Sequence, residues 1–238
     1  MIILARVFNR AHLLEEDMEL IDSINRRRSI RRFLDKPVPK ALIEEILTQA
    51  RWSPSSHNCQ PWEIVVATGP ALKRIQESYR DRFLNGEDPK PHLSLTDNYP
   101  DHMFERYRKV GATTLTSIGI ARDDKVARKA YTAEMFAMFN SPTVIFMMLD
   151  QQLALDYHLV DTGILTQSIC LLATQAGLGT CIMAMAAFYP DILQNELNID
   201  VEKRQVLGIA MGYPDTESPL NLFDRERDPI DRYTRWVE

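Results

Sequence analysis

Glycine is scarce, nine in 238 residues, and none falls in a spacing that cradles phosphate on backbone amides. There is no GxxxxGK[ST] loop, and Gly177-Leu178-Gly179 lacks the third glycine of a dinucleotide fingerprint. GxSxG is missing too, which removes the nucleophile elbow of the hydrolases. A cofactor held by this chain is therefore expected to be held by side chains.

Cysteine is equally sparse. Cys59, Cys170 and Cys181 form no CxxC pair and are odd in number, which argues against a disulfide framework and fits a reducing cytoplasm. The five histidines form no HExxH and no i, i+4 pair, so no metal site is expected. The longest strictly apolar run, Cys181 to Phe188, is far short of the roughly 20 residues that span a bilayer. Residues 1–17 carry an arginine inside their apolar part and no small-residue cleavage site, so they read as an N-terminal extension rather than a secretory signal or transit peptide.

Positive charge is not in excess either: 28 Lys and Arg stand against 33 Asp and Glu, for a net charge of -5. That balance opposes a nucleic-acid module, which normally shows a dominant basic face. Yet RRRSIRRF, Arg26 to Phe33, packs five arginines into eight residues. As a helix end it would be a solvated basic cap. As an extended segment it would point Arg27, Ser29 and Arg31 to one face, two forks and a hydroxyl suited to a phosphate monoester. Arg225 and Arg227 repeat the alternation near the C-terminus and are placed to close around the same anion.

Along the chain, helices are expected over 18–28, 39–52, 71–82, 105–120, 122–139 and 156–179. Strands are expected over 61–68, 141–149 and 204–214. Pro39 suits a first helical position, and Gly177 or Gly179 suits the stop of the long apolar helix. Residues 85–102 hold three prolines among mostly polar side chains and read as a long loop of the kind that forms lids. Strands and helices mix without regular alternation, which favours an α+β fold. The expected organisation is one domain, 18–238, with a lid insertion at about 77–110.

Two stretches in this frame carry a family resemblance. RRSIRRF at 27–33, followed by SPSSHNCQPWEIVVA at 53–67, resembles the N-terminal half of the FMN-dependent nitroreductase family. LTQSICLLATQAGLGTC at 165–181 resembles its long interface helix, and Arg225-x-Arg227 before Asp228-Pro229 its C-terminal phosphate clamp. The resemblance runs over residues 18–230, leaving residues 77–110 outside it.

The resemblance implies a nitroreductase-like fold, a mostly antiparallel central sheet flanked by helices, in an intertwined homodimer. It implies that Arg27, Arg28, Ser29 and Arg31, joined by Arg225 and Arg227, meet the phosphate and ribityl-pyrimidine side of FMN. Pro54, Ser55, Ser56 and Asn58 would touch the flavin of the partner subunit, and Ile182, Met183, Ala184 and Met185 would line the isoalloxazine ring. Best-known members have a Pro-x-Glu-Gly-like turn at that last place, so contact there would be by backbone. The implied activity is two-electron reduction of nitroaromatic or related electron-poor compounds with NADH or NADPH, by a ping-pong mechanism. A reductive dehalogenase, an ene reductase and a non-catalytic flavin-binding redox protein are the alternatives. His57 is a candidate substrate contact, weighed against a surface histidine. Tyr99, Phe104, Tyr107 and Arg108 are candidate lid residues over an aromatic substrate.

Overall fold

In the computed structural model, the structure describes residues 18–94 and 98–238; the N-terminal extension and residues 95–97 lie outside it. Four strands form the centre: β1 (Trp62–Thr68), β2 (Thr143–Asp150), β3 (Gly179–Met183) and β4 (Lys203–Gly212). They pair in the order β1-β2-β4-β3, antiparallel throughout. The chain is an α+β protein built on this sheet.

Strand β2 shows why two helical layers are needed. Its side chains alternate, so Val144, Phe146 and Met148 enter one core while Ile145, Met147 and Leu149 enter the other. All six are buried, so the strand is apolar without interruption rather than amphipathic. One face is covered by α3 (Gly69–Leu84), α5 (Lys125–Phe136) and α7 (Pro190–Leu197), through Leu72, Ile75, Tyr79, Phe136, Ile192 and Leu193. The other is covered by α2 (Lys40–Ala50) and α6 (Leu155–Gln175), through Leu42, Ile43, Ile46, Leu165, Ile169 and Ala173.

Several boundaries depart from the sequence reading for local reasons. The first helix, α1, covers only Leu20–Arg26; Arg27 is its C-cap and the arginines beyond it run extended. Pro39 is the N-cap of α2 rather than its first residue. The long helix α6 stops at Gln175, just before Gly177 as expected, with that glycine at φ +72°, a backbone open to glycine at little cost. Cys181 to Phe188, read as a single apolar run, splits into β3 and a 3-10 turn over Ala184–Ala187. Helix α7 follows directly and carries no strong signal beyond Pro190 at its start.

The long Pro-rich loop is tied to the body at three points. The Lys90 N–H donates to the Phe188 carbonyl (2.9 Å), the Tyr189 hydroxyl to the Glu87 carbonyl (3.0 Å), and the Gln205 N–H to His92 Nδ1 (3.0 Å). The last bond lies beside the register shift between β2 and β4 at Met147/Met148. Helix α4 (Asp101–Ser117) then begins four residues earlier than expected, at an acidic first turn. The chain closes with the short helix α8 (Pro219–Leu222) and an extended tail.

Candidate active site

The arginine-rich segment is held extended by the edge of the sheet. Ser29 forms a parallel bridge to Thr180 on β3, and Phe33 an antiparallel one to Pro214. Between them Ile30 is buried and sits so tightly on Gly179 that a Cβ there would lie 2.5 Å from Ile30 Cγ1. The buried Asn221 fastens the segment from the other side. Its Oδ1 accepts the Arg31 N–H (2.8 Å), and its Nδ2 donates to the Arg32 and Asp215 carbonyls (2.8 and 2.9 Å).

A cleft of about 780 Å³ opens above this anchor. Its walls include Arg27, Arg28, Ser29, Arg31, Arg225 and Arg227, which joins the two arginine segments almost 200 residues apart as the sequence alternation foretold. Arg28 lines it as well as Arg27, Ser29 and Arg31, so the one-face alternation does not hold strictly. The Arg28 and Arg31 guanidiniums flank the Phe223 ring, 5.8 and 5.6 Å from its centroid.

Electrostatics give this cleft its character. Among the described residues, none of these five guanidiniums forms an ion pair with a carboxylate. Two of the three acids in its walls are engaged elsewhere, Glu226 with Lys109 at 2.6 Å and Asp228 with Arg106, while Asp224 forms no ion pair among the described residues. Arg225 instead donates to the backbone carbonyls of Arg27 and Asn25, and Arg28 to that of Phe223. Burial followed by repulsion from Arg28, Arg27 and Arg227 lowers the pKa of Arg225. Arg28 is lowered by burial and then by Arg31, against a weaker opposing pull from Asp224. Concentrated, unneutralised positive charge at a half-dry surface is a site for a multivalent anion.

The remaining candidates fall in separate places. Tyr107 lines the cleft from α4, with ring centroids of Tyr99 and Phe104 each 6.1 Å away in near-parallel stacks. Arg108 does not line it; its guanidinium lies over Phe104 at 5.9 Å. Pro54, Ser55, Ser56, His57 and Asn58 occupy a turn beside α6, outside this cleft in the single chain. There the Ser56 N–H donates to the buried Asp161 carboxylate at 2.9 Å, and His57 is exposed. Ile182 and Ala184 are exposed at the end of β3, Met185 is half-buried, and the Met183 side chain is in the core.

Arg106, Lys109, Val110, Thr113, Phe223 and Tyr233 also line the cleft, and no sequence motif marked them. The buried Asn221 was missed likewise: a lone asparagine in a polar tail gives no signal until its partners are seen.

Fold and cleft together define a helix-flanked antiparallel-sheet protein with an arginine-lined cleft at the sheet edge. Residues 24–213 match the model of the nitroreductase family, and the chain belongs to that family. It is 30% identical over 225 residues to the chloronitrobenzene nitroreductase of Comamonas testosteroni, spanning 91% of this chain and 96% of that one. It is 30% identical over 220 residues to the nitrobenzene nitroreductase of Ectopseudomonas oleovorans, with the same two shares. Among solved structures, the FMN and NADPH-dependent nitroreductase NfnB of Sphigopyxis sp. strain HMH superposes with a TM-score of 0.89 at 30% identity. That match covers 93% of this chain and all of the other.

Proposed function

We propose that this protein is an FMN-dependent NAD(P)H oxidoreductase that reduces nitroaromatic or related electron-poor compounds by a ping-pong mechanism. The observation that carries the reading is the set of five guanidiniums around one cleft, without carboxylate partners, in a chain of this family. A phosphate monoester brings up to two negative charges and three acceptor oxygens, which is what forked donors at this density take. The residues present therefore fit FMN, with Arg27, Arg28, Arg225 and Arg227 toward the phosphate end and Ser29 and Arg31 toward the sugar and pyrimidine.

Bound FMN would supply the redox chemistry, taking hydride equivalents from NADH or NADPH and passing them to the second substrate. The chain's own part is binding, orientation and field. Arg31 is held by the Asn221 bond to its backbone and by Phe223 beneath its guanidinium, so its charge is fixed before any ligand arrives. A fixed cation favours negative charge developing beside it at no cost of reorganisation. Tyr107 and its stacked neighbours supply an apolar, aromatic wall on the open side of the cleft, suited to a flat ring. No side-chain nucleophile is required.

The turn carrying Pro54, Ser55, Ser56, His57 and Asn58 is assigned to the flavin of a second copy, and Ile182 to Met185 to the isoalloxazine ring of the flavin that the same chain's arginines hold. This assignment, and the homodimer with it, is supported by the apolar surface of α6 and α1 and by the family. Activity in the cytoplasm fits three unpaired cysteines, and no described helix is long and apolar enough to cross a membrane.

The decisive experiment is the visible spectrum of the purified protein during anaerobic addition of NADPH, then of nitrobenzene. A flavin spectrum that bleaches and returns is expected. A colourless protein that also fails to take up added FMN overturns the reading.

A further inference from the structure

Asp161 lies on α6 with its carboxylate almost wholly buried. A buried carboxylate needs compensation, and among the described residues Asp161 has no lysine or arginine partner. Its Oδ1 accepts the Ser56 N–H at 2.9 Å, and its Oδ2 faces His158 Nδ1 at 3.2 Å. From the opposing turn the exposed Cys59 brings Sγ to 4.0 Å from that same nitrogen. Sulfur, nitrogen and oxygen all lie within 4.8 Å of one another.

We infer that Cys59, His158 and Asp161 form a three-ligand site for a borderline divalent cation, Zn²⁺ in the first instance. Three arguments lead there. The first is reach: a tetrahedral zinc with bonds of about 2.0 Å to nitrogen and oxygen and about 2.3 Å to sulfur sets its ligands roughly 3.3 to 3.7 Å apart. The nitrogen-oxygen separation of 3.2 Å is close to this, and the sulfur, 4.0 Å from the nitrogen and within 4.8 Å of the carboxylate oxygen, needs to close by about half an ångström on the first and up to about an ångström on the second, a shift that rotation of the exposed Cys59 side chain supplies.

The second is direction. A thiol-imidazole-carboxylate relay needs its thiol and carboxylate on opposite ring nitrogens. Here both face Nδ1, so the donors converge on a point instead of forming a chain. The third is charge and type. A thiolate and a carboxylate neutralise a dication, and one soft, one borderline and one hard donor exclude calcium and magnesium, which take oxygen sets. The Ser56 N–H on the second carboxylate oxygen is then the outer bond that orients the ligand.

The backbone prepares this convergence. His57, Asn58 and Gln60 all have positive φ, 52°, 56° and 47°, a left-handed run in non-glycine residues that turns Cys59 toward α6. Binding ties the turn to the helix, leaves the fourth vertex to solvent on the exposed side of Cys59, and releases the thiol proton to solvent. Within one chain the site lies apart from the arginine cleft, while the turn that brings Cys59 to it adjoins the residues assigned to a partner's flavin.

The test is calorimetric titration of ZnCl₂ into the purified full-length protein with its flavin as isolated, after chelator treatment and dialysis. One zinc per chain at micromolar affinity or tighter is expected. Cys59→Ser and His158→Gln should each bind more than about tenfold more weakly, since losing even an outer-sphere partner costs that much. Co²⁺ in place of zinc should give a near-ultraviolet thiolate charge-transfer band in the difference spectrum that Cys59→Ser lacks. Because Cys59 is exposed, its serine variant is expected to fold as the parent does, which far-ultraviolet circular dichroism checks. Absence of binding above buffer, or equal binding by the parent and Cys59→Ser, overturns the site.

Discussion

Arg225 stands among guanidiniums that repel it and beside carbonyls that hold it in place, so its charge is positioned and unneutralised at once. Arg225→Ala is expected to weaken FMN binding by tenfold or more, about 1.4 kcal/mol per tenfold, read by titrating flavin fluorescence against apoprotein. Wild-type affinity in that variant would remove the phosphate clamp from the reading. His92 is a second residue with a readable consequence. Burial, reinforced by the charge of Arg204, holds its pKa below the ordinary 6.5 while Nδ1 accepts the Gln205 N–H. The unfolded chain thus takes up the proton first, and stability rises with pH across that window. The contribution is full above about 6.5 and is lost as pH falls through the lower folded-state value. Urea midpoints on either side of 6.5 should show this slope, and His92→Gln, which keeps an acceptor, should flatten it.

At the scale of elements, the cleft exists because an extended segment is laid against β3. The contact permits no side chain at Gly179, since Ile30 already occupies that space. Gly179→Ala is expected to cost about 1–3 kcal/mol by overpacking, measured as a shift in the urea midpoint. Because the displaced atoms belong to Ile30 and Ser29 is next to it, flavin affinity should fall in parallel. A Gly179→Ala/Ile30→Ala double variant should recover flavin affinity in part; failure to do so would mean that the edge contact does not set the arginines. The neighbouring α4 shows the other kind of attachment, joined to the C-terminal tail through the Arg106–Asp228 and Lys109–Glu226 pairs. Such exposed pairs contribute little to stability, and their service here is to occupy the two acids that would otherwise neutralise the arginines.

For the whole molecule, the distribution of apolar surface points to a second copy. Helices α1 and α6, which pack against each other, leave Leu20, Ile21, Tyr157 and Val160 more than half exposed, and Trp52 in the turn after α2 is 76% exposed. Exposed apolar side chains on neighbouring helices suit contact with a second copy. Light scattering after gel filtration should give twice the chain mass of 27.4 kDa, and Val160→Asp should shift the population toward the single mass. A parent protein that runs as one chain would leave the turn at Pro54–Asn58 without the flavin assigned to it.

How much was legible in advance differs by element and by residue. β2 and β4 announced themselves because burial on both faces writes a near-continuous apolar run, and α6 because its apolar residues recur at helical spacing on one buried face. β3 and α7 did not, because a five-residue strand merging into a 3-10 turn and an eight-residue helix offer too few periods to read. The two arginine clusters could be singled out in advance because charge of that density stands out in an acidic chain, and the structure brings both to one cleft. Asn221, Phe223 and the face of α4 that meets the tail stayed hidden, since a single polar or aromatic residue carries no meaning without its neighbours. Cys59, His158 and Asp161 are the sharpest case. Their spacing of 99 residues from cysteine to histidine matches no ligand motif, and only the packing of a left-handed turn onto α6 brings their donors together. Composition and pattern determined the class of fold and the cationic character of the cleft, which are properties of residue type and local period. Which residues face one another across the chain was decided by tertiary structure alone, because contact between distant segments is set by packing and leaves no period in the sequence.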